Sequence, residues 1–311
     1  MNFDFQTIFA VFFVALIGIK TLFVSAYSYN EATLYRLAQA SSLSYLSQDK
    51  IASSPYYESS QLEAISQMVD PQSESGATIF MDKNDRKRLI VACRGSANPK
   101  NFGTNLKFKL VPATRLSQDN IPENAMVHEG FQDASVGLWR QLGPRLIDIL
   151  QENSSISDLV FTGHSLGAAT ALLCSVHYNA ATRTSLPGKL PTVITFGGPK
   201  LCNGILARYI RNEALEGSNV LHLVHDKDPV LANNQKLWDS LGFENVGIEL
   251  QCDPNLRPSF VMMMNLQKSL LCLETLRGTL WIIAITWVSL SVPEWWGKKK
   301  LLIQLSNKPS F

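Results

Sequence analysis

Histidine is scarce and unevenly placed. His128, His164, His177, His222 and His225 are the only five, and none occurs from Asp226 to Phe311. Any chemistry that needs an imidazole must draw on these positions. Charge is equally sparse: DEKR residues make up 17% of the chain and the formal net charge is +2. Such a balance gives no electrostatic case for nucleic acid. The five cysteines form no C-x-x-C and no Cys/His pair at zinc spacing, so neither a zinc module nor a dithiol redox motif is encoded. Cys93 falls in an expected buried strand and Cys174 in an expected buried helix, where thiols pack as small apolar groups. Cys202 and Cys252 are candidates for a bridge in an oxidising compartment. The odd count leaves one free thiol or an intermolecular link. Internal repeats and low-complexity tracts are also missing.

What is present is apolar surface. A hydrophobic content of 46% over 311 residues suits a globular chain with extra apolar segments, built as one large α/β domain or two small ones. Near the N-terminus an apolar run spans 8–19, and Val24-Ser25-Ala26 offers a small-residue cleavage site. Residues 1–26 are therefore expected to act as a signal peptide or signal anchor, although Asp4 and Lys20 depart from the usual charge pattern. Asn153-Ser154-Ser155 is a glycosylation sequon compatible with that secretory route.

Periodicity predicts a helix over 30–48, strands over 76–81 and 88–93 with a turn at 82–85, and a helix over 132–152 that Gly143-Pro144 would kink. Further strands are expected at 192–196 and 220–224, with a helix over 203–214 between them. Strands alternating with helices indicate a mostly parallel sheet with helices on both faces.

Chemistry concentrates at Gly163-His164-Ser165-Leu166-Gly167, which matches G-x-S-x-G. The apolar run Leu159-Val160-Phe161-Thr162 precedes it and the helix-forming run Ala168-Ala169-Thr170-Ala171-Leu172-Leu173 follows. Strand, tight turn and helix are the context in which such a serine is lifted clear of a sheet as a nucleophile. Glycine at 163 and 167 removes side chains that would crowd the neighbouring elements. The new helix aims free N–H groups at an oxyanion on the substrate. Such a serine also needs a base and an acid, in chain order serine, acid, histidine. Asp228, in His225-Asp226-Lys227-Asp228-Pro229-Val230, is the expected acid, with Asp226 the competing choice.

Several blocks now resemble one family in order: Arg94-Gly95-Ser96, Asn101-Phe102-Gly103-Thr104-Asn105-Leu106-Lys107-Phe108, Val127-His128-Glu129-Gly130-Phe131, the elbow, Thr195-Phe196-Gly197-Gly198-Pro199, and the Asp228 loop. Together they resemble the class 3 (fungal-type) triacylglycerol lipases over about residues 30–252. The resemblance implies a single α/β-hydrolase domain over 27–252, with an anomalous tail over 253–311. It also implies hydrolysis of carboxylic esters through an acyl-enzyme on Ser165. Ser96 and Leu166 would form the oxyanion hole. Residues 97–110 would be a lid with Phe102, Leu106 and Phe108 as its apolar face. His128 and His225 match structural positions of the family. No metal or organic cofactor is implied, and the partner would be a lipid–water interface.

The family's base normally follows a block like 242–250, which is present, yet no histidine follows Asp228. Losing one triad member leaves roughly 10³–10⁴-fold catalysis over water. Three accounts fit the tail: a C-terminus differing from the ancestral one; a membrane segment, since 278–293 carries no charge and Glu294-Trp295-Trp296-Gly297-Lys298-Lys299-Lys300 follows; or a buried helix. Alternatives to a triacylglycerol lipase are a feruloyl-type esterase, a membrane-tethered form, or an inactive relative that binds lipid or protein.

Overall fold

The structure, a computed structural model, describes residues 31–54, 56–95, 109–116, 120–186, 188–225 and 238–252. The expected leader, the expected lid residues Phe102, Leu106 and Phe108, the tail, Ser96 and Asp228 all lie outside the described residues. Two compact units divide the chain, Met1–Tyr35 and Arg36–Phe311. Of the first, only 31–35 are described, and they are helical.

The element order is α1 (Glu31–Leu43), α2 (Gln48–Ser53), α3 (Tyr57–Ser60), β1 (Leu62–Val69), β2 (Gly76–Asp82), β3 (Arg88–Cys93), β4 (Leu110–Pro112), β5 (Met126–His128), α4 (Glu129–Glu152), β6 (Asp158–His164), α5 (Leu166–Thr182), β7 (Pro191–Phe196), α6 (Gly204–Tyr209), a π-helical turn (Ile210–Ala214), β8 (Val220–His225) and β9 (Ile248–Cys252). One seven-stranded sheet runs β1-β2-β3-β6-β7-β8-β9. The first three strands are antiparallel neighbours, and every pairing from β3 to β9 is parallel. Parallel strands are joined by helical crossovers, which cover the sheet.

Side chains alternate across the pleat, so each face gathers its own cover. Phe161 faces α5, its ring 5.9 Å from that of Tyr178. The next residue, Thr162, points the other way, its hydroxyl 3.1 Å from that of Ser41 on α1. Helices therefore lie on both faces. Nearly all of α5 is buried, because α4 shields its outer side with Leu138, Leu142, Leu146 and Ile149. At the opposite end of the sheet from the C-terminus of β6, the fully buried Asp82 carboxylate accepts from Arg36 at 3.0 Å and from Arg88 at 3.1 Å. Arg88 also reaches Asp158 at 2.6 Å. This cluster ties α1 to β2, β3 and β6, and its buried charges are matched in sign as burial requires.

Several expectations need correction. The helix expected over 30–48 stops at Leu43, and α2 begins at Gln48. Serine hydroxyls compete there with the helical ladder: Ser41 bonds the Leu37 carbonyl at 3.0 Å and Ser44 that of Ser41 at 2.8 Å. Helix α4 starts three residues before the expected 132, because the His128 imidazole caps it by accepting from the Phe131 N–H at 3.4 Å. It continues helically through Gly143 and Pro144. Leu110, taken as the end of the lid segment, belongs to β4 and pairs with His128. Cys202 is a free buried thiol, so no bridge to Cys252 forms; burial raises its pKa well above the usual thiol range. Cys93 and Cys174 are buried and free, as expected. The sequon occupies an exposed stretch after α4. Among the described residues no helix is long and apolar enough to cross a membrane.

Candidate active site

Strand β6 ends at His164 and α5 begins at Leu166, which leaves Ser165 alone at the turn. Its backbone sits at φ 58°, ψ −126°, a region that costs a non-glycine residue about 1–3 kcal/mol. The surroundings impose it. The Ser165 N–H donates to the Phe196 carbonyl at the end of β7 (3.1 Å), and its carbonyl accepts from the Ala168 N–H (2.9 Å). A Cβ on Gly163 would land on the Gly167 carbonyl, and one on Gly167 on the Cys93 carbonyl. A Cβ on Gly198 would come within 2.7 Å of that of Ala168. Both motif glycines thus let α5 enter directly beside the ends of β3 and β7. Ser165 itself is half-buried at the carboxyl edge of the parallel strands, the edge where open α/β sheets place their ligands.

Leu166 is the first residue of α5. The first N–H groups of a helix lack intrahelical acceptors and carry the positive end of its dipole, so this amide suits a developing negative charge. Arg94 and Gly95 continue from β3 at the same edge, since Cys93 pairs with Gly163. Strand β8 ends at His225 on this edge too, immediately before the segment that carries Asp226 and Asp228.

The described imidazoles are already engaged. His222 donates from Nε2 to the Val246 carbonyl, so its Nδ1 accepts from the Thr195 hydroxyl at 2.5 Å. His128 caps α4 and stacks on Phe131 with centroids 3.9 Å apart. His177 stacks on Trp139 at 5.9 Å. His164 turns its Nδ1 to the Tyr45 hydroxyl at 3.1 Å. Burial holds His128, His177 and His222 down to about 4, from an ordinary 6.5. They are neutral in the folded chain, whereas the unfolded chain takes up their protons below about 6.5. Their contribution to stability is therefore complete above pH 6.5 and is lost as pH falls toward 4. We expect the unfolding free energy to fall by on the order of 2 kcal/mol per histidine between pH 7 and pH 5, read as a lower urea midpoint. An unchanged midpoint would contradict neutral burial.

Ser165 stands at the turn and Leu166 at the start of α5, whereas Ser96, Asp228, Phe102, Leu106 and Phe108 lie outside the described residues. Tyr45 falls within the stretch expected to be helical over 30–48, and nothing in the sequence marked it. Its contact with His164, across 119 positions, had no local signal. Among the described residues no group of three or more His, Cys, Asp or Glu side chains is placed to hold a metal ion.

Residues 90–233 match the family model for lipase (class 3). An Arabidopsis thaliana protein named phospholipase A1 PLIP2, chloroplastic, is 28% identical over 150 residues, 48% of this chain and 20% of that protein. The secreted mono- and diacylglycerol lipase 1 of Fusarium solani is 25% identical over 169 residues, 53% of this chain and 45% of that protein. The chain thus spans less than half the length of these relatives. Among solved structures, a triacylglycerol lipase described as having a serine-protease triad at its catalytic centre superposes with a TM-score of 0.61 at 23% identity, covering 73% of this chain and 80% of that one. The Rhizomucor miehei lipase in its propeptide complex gives 0.59 at 22% identity, over 73% of this chain and 68% of that one. Residues 90–233 thus resemble the class 3 lipases, within a chain that has the α/β-hydrolase fold.

Proposed function

We propose that the chain is a lipolytic carboxylic ester hydrolase in which Ser165 forms an acyl-enzyme. The observation that carries this reading is the left-handed backbone of Ser165, alone between a parallel strand and a buried helix. The Ser165 hydroxyl would attack an ester carbonyl, and the tetrahedral oxyanion would lie against the amides of Leu166 and Ser96. Asp228 would orient a base and stabilise its charged form. The departing alcohol would take the proton, and water would release the acyl group. Relatives named as a phospholipase A1 and a mono- and diacylglycerol lipase point to acylglycerol or glycerophospholipid esters as the substrate class. Phe102, Leu106 and Phe108 would supply a lipid-facing cover, and a secretory route would bring the chain to its substrate.

A second reading is favoured by one specific observation: no histidine follows Asp228. On this reading the chain keeps the fold and the lipid-facing surface without turnover. A fluorophosphonate separates the two. The first predicts a covalent adduct on the peptide bearing Ser165, located by mass spectrometry. The second predicts folded protein that carries none.

A further inference from the structure

The Tyr45 hydroxyl is a largely enclosed polar group that the candidate mechanism does not use. Tyr45 sits in the turn between α1 and α2, and its hydroxyl meets three groups from two other segments. It donates to the His164 carbonyl at 3.3 Å and lies 3.1 Å from His164 Nδ1. It also accepts a hydrogen bond from the Gly95 backbone, which favours the phenol's charged form as a donor does. How tightly these groups converge is plain at Gly95, where an added Cβ would collide with the Tyr45 hydroxyl and come within 2.7 Å of the His164 carbonyl. A phenol has one proton to give and two lone pairs to fill. With the proton on the His164 carbonyl, the lone pairs take the Gly95 N–H and a proton on His164 Nδ1. The phenol is then saturated, and His164 is held as its Nδ1–H tautomer. Burial raises the phenol well above its ordinary range, so it stays protonated wherever the protein is folded.

His164 directly precedes Ser165, and Gly95 directly precedes Ser96. We infer that Tyr45 is a positioning residue, whose single hydroxyl pins the turn carrying the proposed Ser165 nucleophile to Gly95, beyond the end of β3. This inference rests on the proposed role of Ser165. The ladder between β3 and β6 runs to Cys93 and Gly163, and just past its end catalysis needs the turn held to within a few tenths of an ångström. A tyrosine from a third element meets that need, because its ring is stiff and its oxygen reaches both.

The test is Tyr45→Phe, which keeps the ring and removes the oxygen. Two quantities are read on the full chain: the second-order rate of fluorophosphonate labelling at Ser165, and the exchange rate of the Gly95 amide proton by NMR. We expect labelling to slow about 10- to 100-fold, as misplacement of reacting groups does, and the Gly95 amide to exchange at least about tenfold faster. A purely structural tyrosine would alter the melting temperature and leave labelling per folded molecule unchanged; labelling within twofold of the parent overturns the inference. Should Tyr45→Phe not fold, His164→Leu and His164→Asn replace it. Asparagine returns a donor near the Nδ1 position and is expected to recover most of the labelling that leucine loses; equal rates in the two overturn the inference. If the parent chain is not labelled at all, the nucleophile role of Ser165 fails and this inference falls with it. If the parent is labelled and Tyr45→Phe matches it, only the positioning role fails.

Discussion

Ser165→Ala is expected to remove fluorophosphonate labelling completely while the fold and its melting temperature are kept or improved. The parent serine holds φ 58° and ψ −126° because β6, α5 and the Phe196 carbonyl leave no other path for the backbone. That conformation is unfavourable for any residue with a Cβ, so the hydroxyl contributes little to stability and the backbone opposes it. Glycine tolerates the conformation, and Ser165→Gly is expected to stabilise the chain by about 1 kcal/mol, read as a higher urea midpoint. Loss of labelling with retained or increased stability marks a residue kept for chemistry. A destabilised Ser165→Gly variant would mean that the strain is absent. Labelling that persists in Ser165→Ala would place the reactive hydroxyl elsewhere and end the proposal.

Supplying a late histidine is expected to raise the labelling rate by about 100-fold in the best of three variants, Asp253→His, Pro254→His and Asn255→His. The expectation follows from topology. Strands β6, β7, β8 and β9 run parallel, so their carboxyl ends share one edge. Ser165 follows β6 there, and β9 ends with Cys252 paired to His225, just before the segment of Asp226 and Asp228. Strand β9 thus ends at the sheet edge that bears Ser165, the proposed nucleophile. A general base contributes roughly 10²–10⁴-fold, and one placed without a tuned surrounding should reach the lower end. Each variant is compared with the parent for folding by circular dichroism and for labelling rate. Three folded variants that label no faster than the parent would show that a missing imidazole does not limit this site.

Much of the architecture was open to inspection in the residue pattern. Strands β2, β3 and β7 are short apolar runs bounded by turn residues, and such runs declare a buried strand by themselves. The elbow was equally clear, since two glycines around a serine between a strand and a helix have few other uses. Strand β1 gave no such signal: Leu62–Val69 is an edge strand, and most of its side chains are only partly buried. Helix α4 began earlier than its apolar spacing suggested, because a histidine served as its cap. The Cys202 thiol looked like a bridge partner, yet it is free and buried against the β5 edge, where Val127 pairs with it.

The linear order of residues by itself determined that Ser165 stands at a sharp bend and that no imidazole comes after position 225, because both are properties of short segments and of simple counting. Tertiary structure alone decided what surrounds that bend. Cys93, Phe196 and Tyr45 reach it from β3, β7 and the turn after α1, each far away along the chain. No local pattern encodes such meetings: they arise when a twisted parallel sheet brings the ends of its strands to a common edge and helices close over both faces.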